Sequence, residues 1–124
     1  MRLLYVEDDL YVRKAFTRCL RRHDDIFRFQ AAKDGQEALS LLGSNVFDAV
    51  ITDFHMPHGR LPYIQKVRRQ FPELCLVVLS GMGYTDQKSC ELAGVDRVIM
   101  KGGTPAATVL AEVYQMACAK QKKS

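Results

Sequence analysis

The chain has 124 residues, nearly half apolar and about a quarter charged, with a net charge of +4. That length suits one domain with its own core, and the balance excludes a disordered or fibrous polypeptide. No apolar run approaches the roughly 20 residues that span a bilayer, and the opening MRLLYVEDD turns acidic too early for a signal peptide, so the expectation is a cytoplasmic protein with no membrane partner.

In chain order, LLYVE (3–7) is an apolar run of strand length. Behind it Val12, Ala15, Phe16, Cys19 and Leu20 fall on one helical face, opposite the basic Lys14, Arg18, Arg21 and Arg22. FRFQAA (27–32) is a second strand. In DGQEALSLLG, Asp34 and Glu37 have capping-box spacing and Gly43 closes the predicted helix. FDAVIT (47–52) is the third strand, and residues 61–71 form a helix that stops before Pro72.

LCLVVLS (74–80) is the most apolar strand, broken by GMG, after which Thr85 is placed to cap a polar helix ending at Gly94. VDRVIM (95–100) is the fifth strand. Thr104 and Pro105 make an N-cap and N1 pair for a last helix that buries Val109, Leu110, Val113, Met116 and Ala117. Residues 1–119 form one domain, and 120–124 form a basic tail that is solvated. Five short strands alternating with five helices predict right-handed crossovers and a parallel α/β sheet covered on both faces.

The four cysteines are scattered without a C-x-x-C pair and read as small core residues in a reducing compartment. His55 and His58 form a short H-x-x-H in a Pro/Gly loop without partner ligands, which argues against a metal site there.

Ligand sites of open α/β sheets lie at the carboxyl ends of the strands. Here those ends carry Glu7, Asp8 and Asp9 after strand one, Asp53 after strand three, Ser80 on strand four and Lys101 after strand five. Such a set supports phosphoryl transfer to a carboxylate. Clustered acids call for a hard cation such as Mg²⁺, Asp53 is the nucleophile, Lys101 brings a second positive charge, and the Ser80 hydroxyl donates to the acyl phosphate.

Through V-E-D-D at strand one, D-F-H-M-P at strand three, V-L-S-G at strand four and the strand-five lysine, nearly the whole chain resembles a response-regulator receiver domain. The resemblance implies a flavodoxin-like (βα)5 fold with strand order 2-1-3-4-5. It further implies phosphorylation of Asp53 by a sensor histidine kinase or a histidine phosphotransfer protein. Asp8 is then the direct Mg²⁺ ligand, Glu7 acts mainly through water, and the His55 backbone carbonyl completes the metal shell with Asp53. Ser80 and Lys101 match the family's switch hydroxyl and lysine, and Asp9 is a helix N-cap. A receiver is no enzyme beyond its self-phosphorylation and autodephosphorylation. It acts through an output protein or domain, without direct nucleic-acid binding, and a homodimer is compatible with the resemblance. The basic stripe on the first helix is solvated surface or a kinase contact.

Three features depart from the family pattern: a β3–α3 loop one residue short with an extra Pro62, Gly102 where many receivers have proline, and Val98 where many carry an aromatic switch residue. The Lys101–Gly102 bond is therefore expected to be trans, and signalling is expected to run through the β4–α4 loop, where Tyr84 is either an exposed loop tyrosine without a switching role, the favoured reading, or a substitute aromatic. An aspartyl-nucleophile phosphatase would need an acid where His55 stands. A dinucleotide-binding reading of GMGYTD lacks the third glycine and sits at strand four. A receiver fold that docks partners without phosphate is the remaining alternative.

Overall fold

A computed structural model describes residues 1–81 and 83–124 apart from Ser124; the side chains of Tyr84 and Lys123 also lie outside the described residues, and with them the expectation for a Tyr84 switch. The elements are β1 (Arg2–Val6), α1 (Leu10–Arg21), β2 (Arg28–Ala32), α2 (Gly35–Ser44), β3 (Ala49–Thr52), α3 (Arg60–Gln70), β4 (Cys75–Ser80), α4 (Tyr84–Leu92), β5 (Arg97–Met100) and α5 (Ala106–Lys123). All strand pairs are parallel, in the order β2-β1-β3-β4-β5.

Alternation along the strands feeds two cores. Leu4, Val6, Val50, Leu76 and Val78 pack against α2, α3 and α4. Leu3, Tyr5, Ile51, Val77 and Ile99 pack against α1 and α5. Continuous apolar runs are what a sheet buried on both faces requires.

Helix ends differ from the sequence expectations in several places. α2 runs past Gly43 to Ser44, because the Asn45 side chain and backbone N–H both donate to the Leu41 carbonyl (3.1 and 3.0 Å) and satisfy the end. Thr85 lies inside α4 rather than capping it. Gly83 is the N-cap, a position glycine fills almost as well as threonine, and Asp86 adds an acid to the positive end of the helix. α5 starts one residue later than Pro105, whose carbonyl accepts the Val109 N–H (3.1 Å). At its other end α5 continues to Lys123, so residues 120–123 are helical. Asp9 caps α1 as expected, accepting from Tyr11 and Val12.

On α1, Phe16, Cys19 and Leu20 are buried, but Val12 and Ala15 stay exposed, since no neighbouring element covers the first half of that apolar face. Lys14, Arg18, Arg21 and Arg22 are all exposed. Cys19, Cys75 and Cys90 are buried, and burial pushes the Cys75 and Cys90 thiols up to about 11, which keeps them unreactive. Met116 is only partly buried.

Asp96, ahead of β5, ties four elements together. Its carboxylate accepts from the Leu76 N–H (2.8 Å), Arg68 Nη2 (2.9 Å) and Lys120 Nζ (3.1 Å). Arg68 also donates to the Pro72 and Leu74 carbonyls, both at 2.9 Å. Asp96→Ala strips the acceptor from β4, α3 and α5 at once. The expected loss is about 1.5–3 kcal/mol, the usual value of hydrogen bonds to a charged group, read as a lower urea midpoint with an unchanged slope.

Candidate functional site

Period-two alternation puts Leu3, Tyr5 and Glu7 on one face of β1 and its extension, and Ala49, Ile51 and Asp53 on the same face of β3. Those strands are neighbours, so Glu7 and Asp53 arrive side by side, each almost fully buried (1 % and 6 % exposed). Lys101, one residue past β5, reaches across to both: its Nζ lies 2.5 Å from Glu7 Oε1 and 3.0 Å from Asp53 Oδ2. Burial alone would lower the Lys101 pKa, but the hydrogen bonds to Glu7 and Asp53 and their negative charge outweigh it and raise it.

The other carboxylate oxygens are occupied by backbone. Asp53 Oδ1 accepts the Phe54 N–H (2.7 Å), and Glu7 Oε2 accepts the Asp9 N–H (3.2 Å). Behind Asp53, the Thr52 hydroxyl donates to the Asp53 carbonyl (2.9 Å), and the buried Tyr63 hydroxyl donates to Thr52 Oγ1 (3.1 Å). Nothing in the residue pattern announces that support chain, nor the Arg13 guanidinium that donates to the Glu7 carbonyl (2.7 Å). The Tyr5 hydroxyl is buried and has no hydrogen-bond partner among the described residues, and burial, then the negative charge of Glu7 and Asp53, keeps it protonated.

Asp8 is exposed, and one carboxylate oxygen from each of Glu7, Asp8 and Asp53 lies within 4.8 Å of the others. Three hard oxygen donors of this spacing fit Mg²⁺ or Ca²⁺ and do not fit a thiophilic ion. Ser80 ends β4, buried (1 % exposed), and its carbonyl accepts the Lys101 N–H (3.3 Å). His55 follows Asp53 by two residues; its imidazole is exposed, edge-on to Phe54 and 3.9 Å from Asp86. The sequence-predicted residues Glu7, Asp8, Asp53, Ser80 and Lys101 thus stand at one edge of the sheet, while Asp9 is taken up in capping α1.

Next to Lys101 the backbone is trans, and Gly102 adopts φ +79°, a conformation open to glycine at little cost. The short β3–α3 loop is less relaxed: His58 and Arg60 have φ of 56° and 63°, a region that costs a non-glycine residue about 1–2 kcal/mol.

A buried carboxylate at the end of the central strand, a lysine across from it and an acidic oxygen cluster stand together at the carboxyl edge of a doubly wound sheet. The chain belongs to the response regulator receiver domain family, which matches residues 3–111. It is 34% identical over 97 residues to the response regulator MprA of Mycolicibacterium vanbaalenii, covering 77% of this chain and 40% of that protein. The chain thus spans about two fifths of the length of the curated relatives it matches.

In fold it is similar to a CheY-like receiver domain protein from Methanospirillum hungatei (TM-score 0.90, 18% identity, 99% of this chain and 98% of that one). It is also similar to a Burkholderia pseudomallei response regulator solved with a phosphorylated aspartic acid, a calcium ion and citrate (TM-score 0.80, 22% identity, 98% of this chain and 71% of that one). Membership of this family implies two-component signalling. Among the described residues no helix is long and apolar enough to cross a membrane.

Burial, with Asp53 as a second cause and Lys101 opposing, pushes the Glu7 carboxyl up from 4.5 to about 7. A folded-state pKa above the unfolded one means the folded protein holds the proton more tightly. The associated stability is therefore present below pH ~4.5 and lost as pH rises through ~7. In EDTA, Glu7→Gln should be more stable than wild type at pH 8, with the difference vanishing at pH 4. Thermal melts at the two pH values check both the sign and the window.

Proposed function

We propose that this domain is the phosphoacceptor of a two-component pathway, taking one phosphoryl group on Asp53 from a sensor histidine kinase or a histidine phosphotransfer protein. The observation that carries this reading is the buried Asp53 carboxylate, aimed by the Phe54 N–H (2.7 Å) and faced by the Lys101 ammonium (3.0 Å) beside the acidic pair. An Asp53 oxygen attacks the phosphorus of phosphohistidine, the new P–O bond replaces the P–N bond, and the imidazole leaves with its electron pair. Asp8, Asp53 and the His55 backbone carbonyl, with Glu7 through water, would hold Mg²⁺, which supplies charge neutralisation to the transferring oxygens. Lys101, already positioned by two carboxylates, transfers its hydrogen bond to a phosphoryl oxygen, and the Ser80 hydroxyl donates to another. The domain catalyses nothing beyond its own phosphorylation and dephosphorylation, and its output is a change in affinity for a partner protein or domain.

Asp53→Asn should abolish labelling by a small phosphodonor with Mg²⁺, because an amide does not displace the leaving group. EDTA should abolish it in wild type. Intact-mass spectrometry reads both. Stoichiometric phosphate on the Asn variant would refute the assignment, and no phosphate on wild type would favour a receiver fold that docks without it.

The phosphorylated state is relayed through the β4–α4 segment. Val98 packs against the core on α2, α3 and α4 and, being β-branched, has one stiff χ1. In α4 Cys90 is the one residue buried in the core among those described, the mark of a weakly anchored element. With a beryllofluoride mimic bound, amide exchange should change most across residues 81–94 and little around Val98. Changes centred on β5 would rule this route out.

A further inference from the structure

The connection from β1 to α1 is only residues 7–9. Two of the three are anchored by their own groups. The Glu7 N–H donates to the Ala32 carbonyl (3.0 Å), and its carboxylate is engaged with Lys101 and the Asp9 N–H. Asp9 caps α1 through the Tyr11 and Val12 N–H groups (2.9 and 3.0 Å). Asp8, between them, is the exposed member of the acidic cluster. The peptide leading into it, the Glu7 carbonyl, is held by Arg13 Nη1 at 2.7 Å, and the same nitrogen stands 3.5 Å from the Asp8 carbonyl. Arg13 is itself in the first turn of α1, where its N–H donates to the Asp9 carbonyl (2.9 Å).

We infer that Arg13 is a positioning residue for cation binding: by clamping the Glu7 carbonyl to the first turn of α1, it fixes the peptide that presents the Asp8 carboxylate. The inference rests on the Mg²⁺ reading of the site proposed above. A long arginine reaches six residues back to a carbonyl and closes the β1–α1 connection on itself. Rotation of the Glu7–Asp8 peptide would break that charge-assisted bond and swing Asp8 away from Glu7 and Asp53. Preset ligand geometry of this kind is what supporting residues supply to a metal site.

The sign of the effect separates positioning from charge. Removing a positive charge beside a cation site strengthens cation binding by Coulomb's law, whereas releasing the clamp weakens it. Mg²⁺ titrations by calorimetry on wild type, Arg13→Ala and Arg13→Lys at fixed ionic strength test this. Arg13→Ala should bind Mg²⁺ about 10-fold more weakly, with Arg13→Lys in between and the far-UV circular dichroism unchanged. The Mg²⁺ midpoint for phosphorylation by a small phosphodonor should rise by the same factor, with the rate recovered at saturating Mg²⁺. If Arg13→Ala loses its fold, the decision passes to Arg13→Lys, which must bind more weakly than wild type. Unchanged or tighter binding in a folded variant overturns the inference while leaving the function standing. A wild-type protein that binds no Mg²⁺ overturns both.

Discussion

One ammonium group holds the working edge of this domain together. Glu7 and Asp53 are buried at the ends of adjacent strands, and two carboxylates so placed repel each other in a medium that solvates neither. Lys101 contacts both and is the cation that makes their burial tolerable; removing it would leave two uncompensated buried carboxylates, a loss that typically costs about 3–5 kcal/mol. Lys101 does not offset that burial fully: desolvation first, then the charge of Asp53, still raises the Glu7 pKa. To reach β1 and β3 from β5, the lysine must cross the end of β4. The residue that ends β4 is Ser80, small and buried, and its carbonyl accepts the Lys101 N–H (3.3 Å). Strand order and the length of the lysine are thus two sides of one constraint.

Much of this was legible in the sequence because strands have a simple signature. Apolar runs located all five; the structure trims one or two residues from each and adds Arg2, paired with Arg28, to the start of β1. Glu7, Asp53 and Lys101 could be gathered without coordinates, since parallel topology delivers strand ends to one edge. Helix ends were read less well. Gly43, Thr85 and Thr104 each have the right chemistry for a cap, but Asn45, Gly83 and Pro105 take those places once tertiary contacts set the chain path. Val12 and Ala15 have the correct period and yet are exposed, because periodicity shows which face is apolar and not how far a neighbour covers it.

The groups that escaped the sequence reading share a feature: their contacts span distances with no period. Arg13 reaches the Glu7 carbonyl, Tyr63 reaches Thr52, and Asp96 joins Leu76, Arg68 and Lys120. None lies on a repeating pattern, and each depends on how α1, α3 or α5 is seated. The basic tail belongs to the same class. Lys120 and Gln121 read as solvated, but they bond to Asp96 and Asp48 (3.1 and 3.0 Å) because α5 runs on beneath the sheet's far edge.

The two edges of the sheet show why acids do different work at each. Parallel strands all begin at one edge, where their leading N–H groups are unpaired, and all end at the other, where carbonyls are left over. At the amino edge Asp48 accepts the Arg2 N–H (2.7 Å) and Asp96 accepts the Leu76 N–H (2.8 Å), so the sheet takes up one oxygen of each carboxylate and Gln121 or Lys120 the other. At the carboxyl edge the strands offer oxygens to oxygens. Glu7 and Asp53 there draw on loop N–H groups for one oxygen each and on Lys101 for the other, and Asp8 is left facing solvent. An acid at the first edge is consumed as structure, whereas a cluster of acids at the second is short of positive charge. That shortage, set by the direction of the strands before any particular side chain is chosen, is what equips the carboxyl edge to hold a cation.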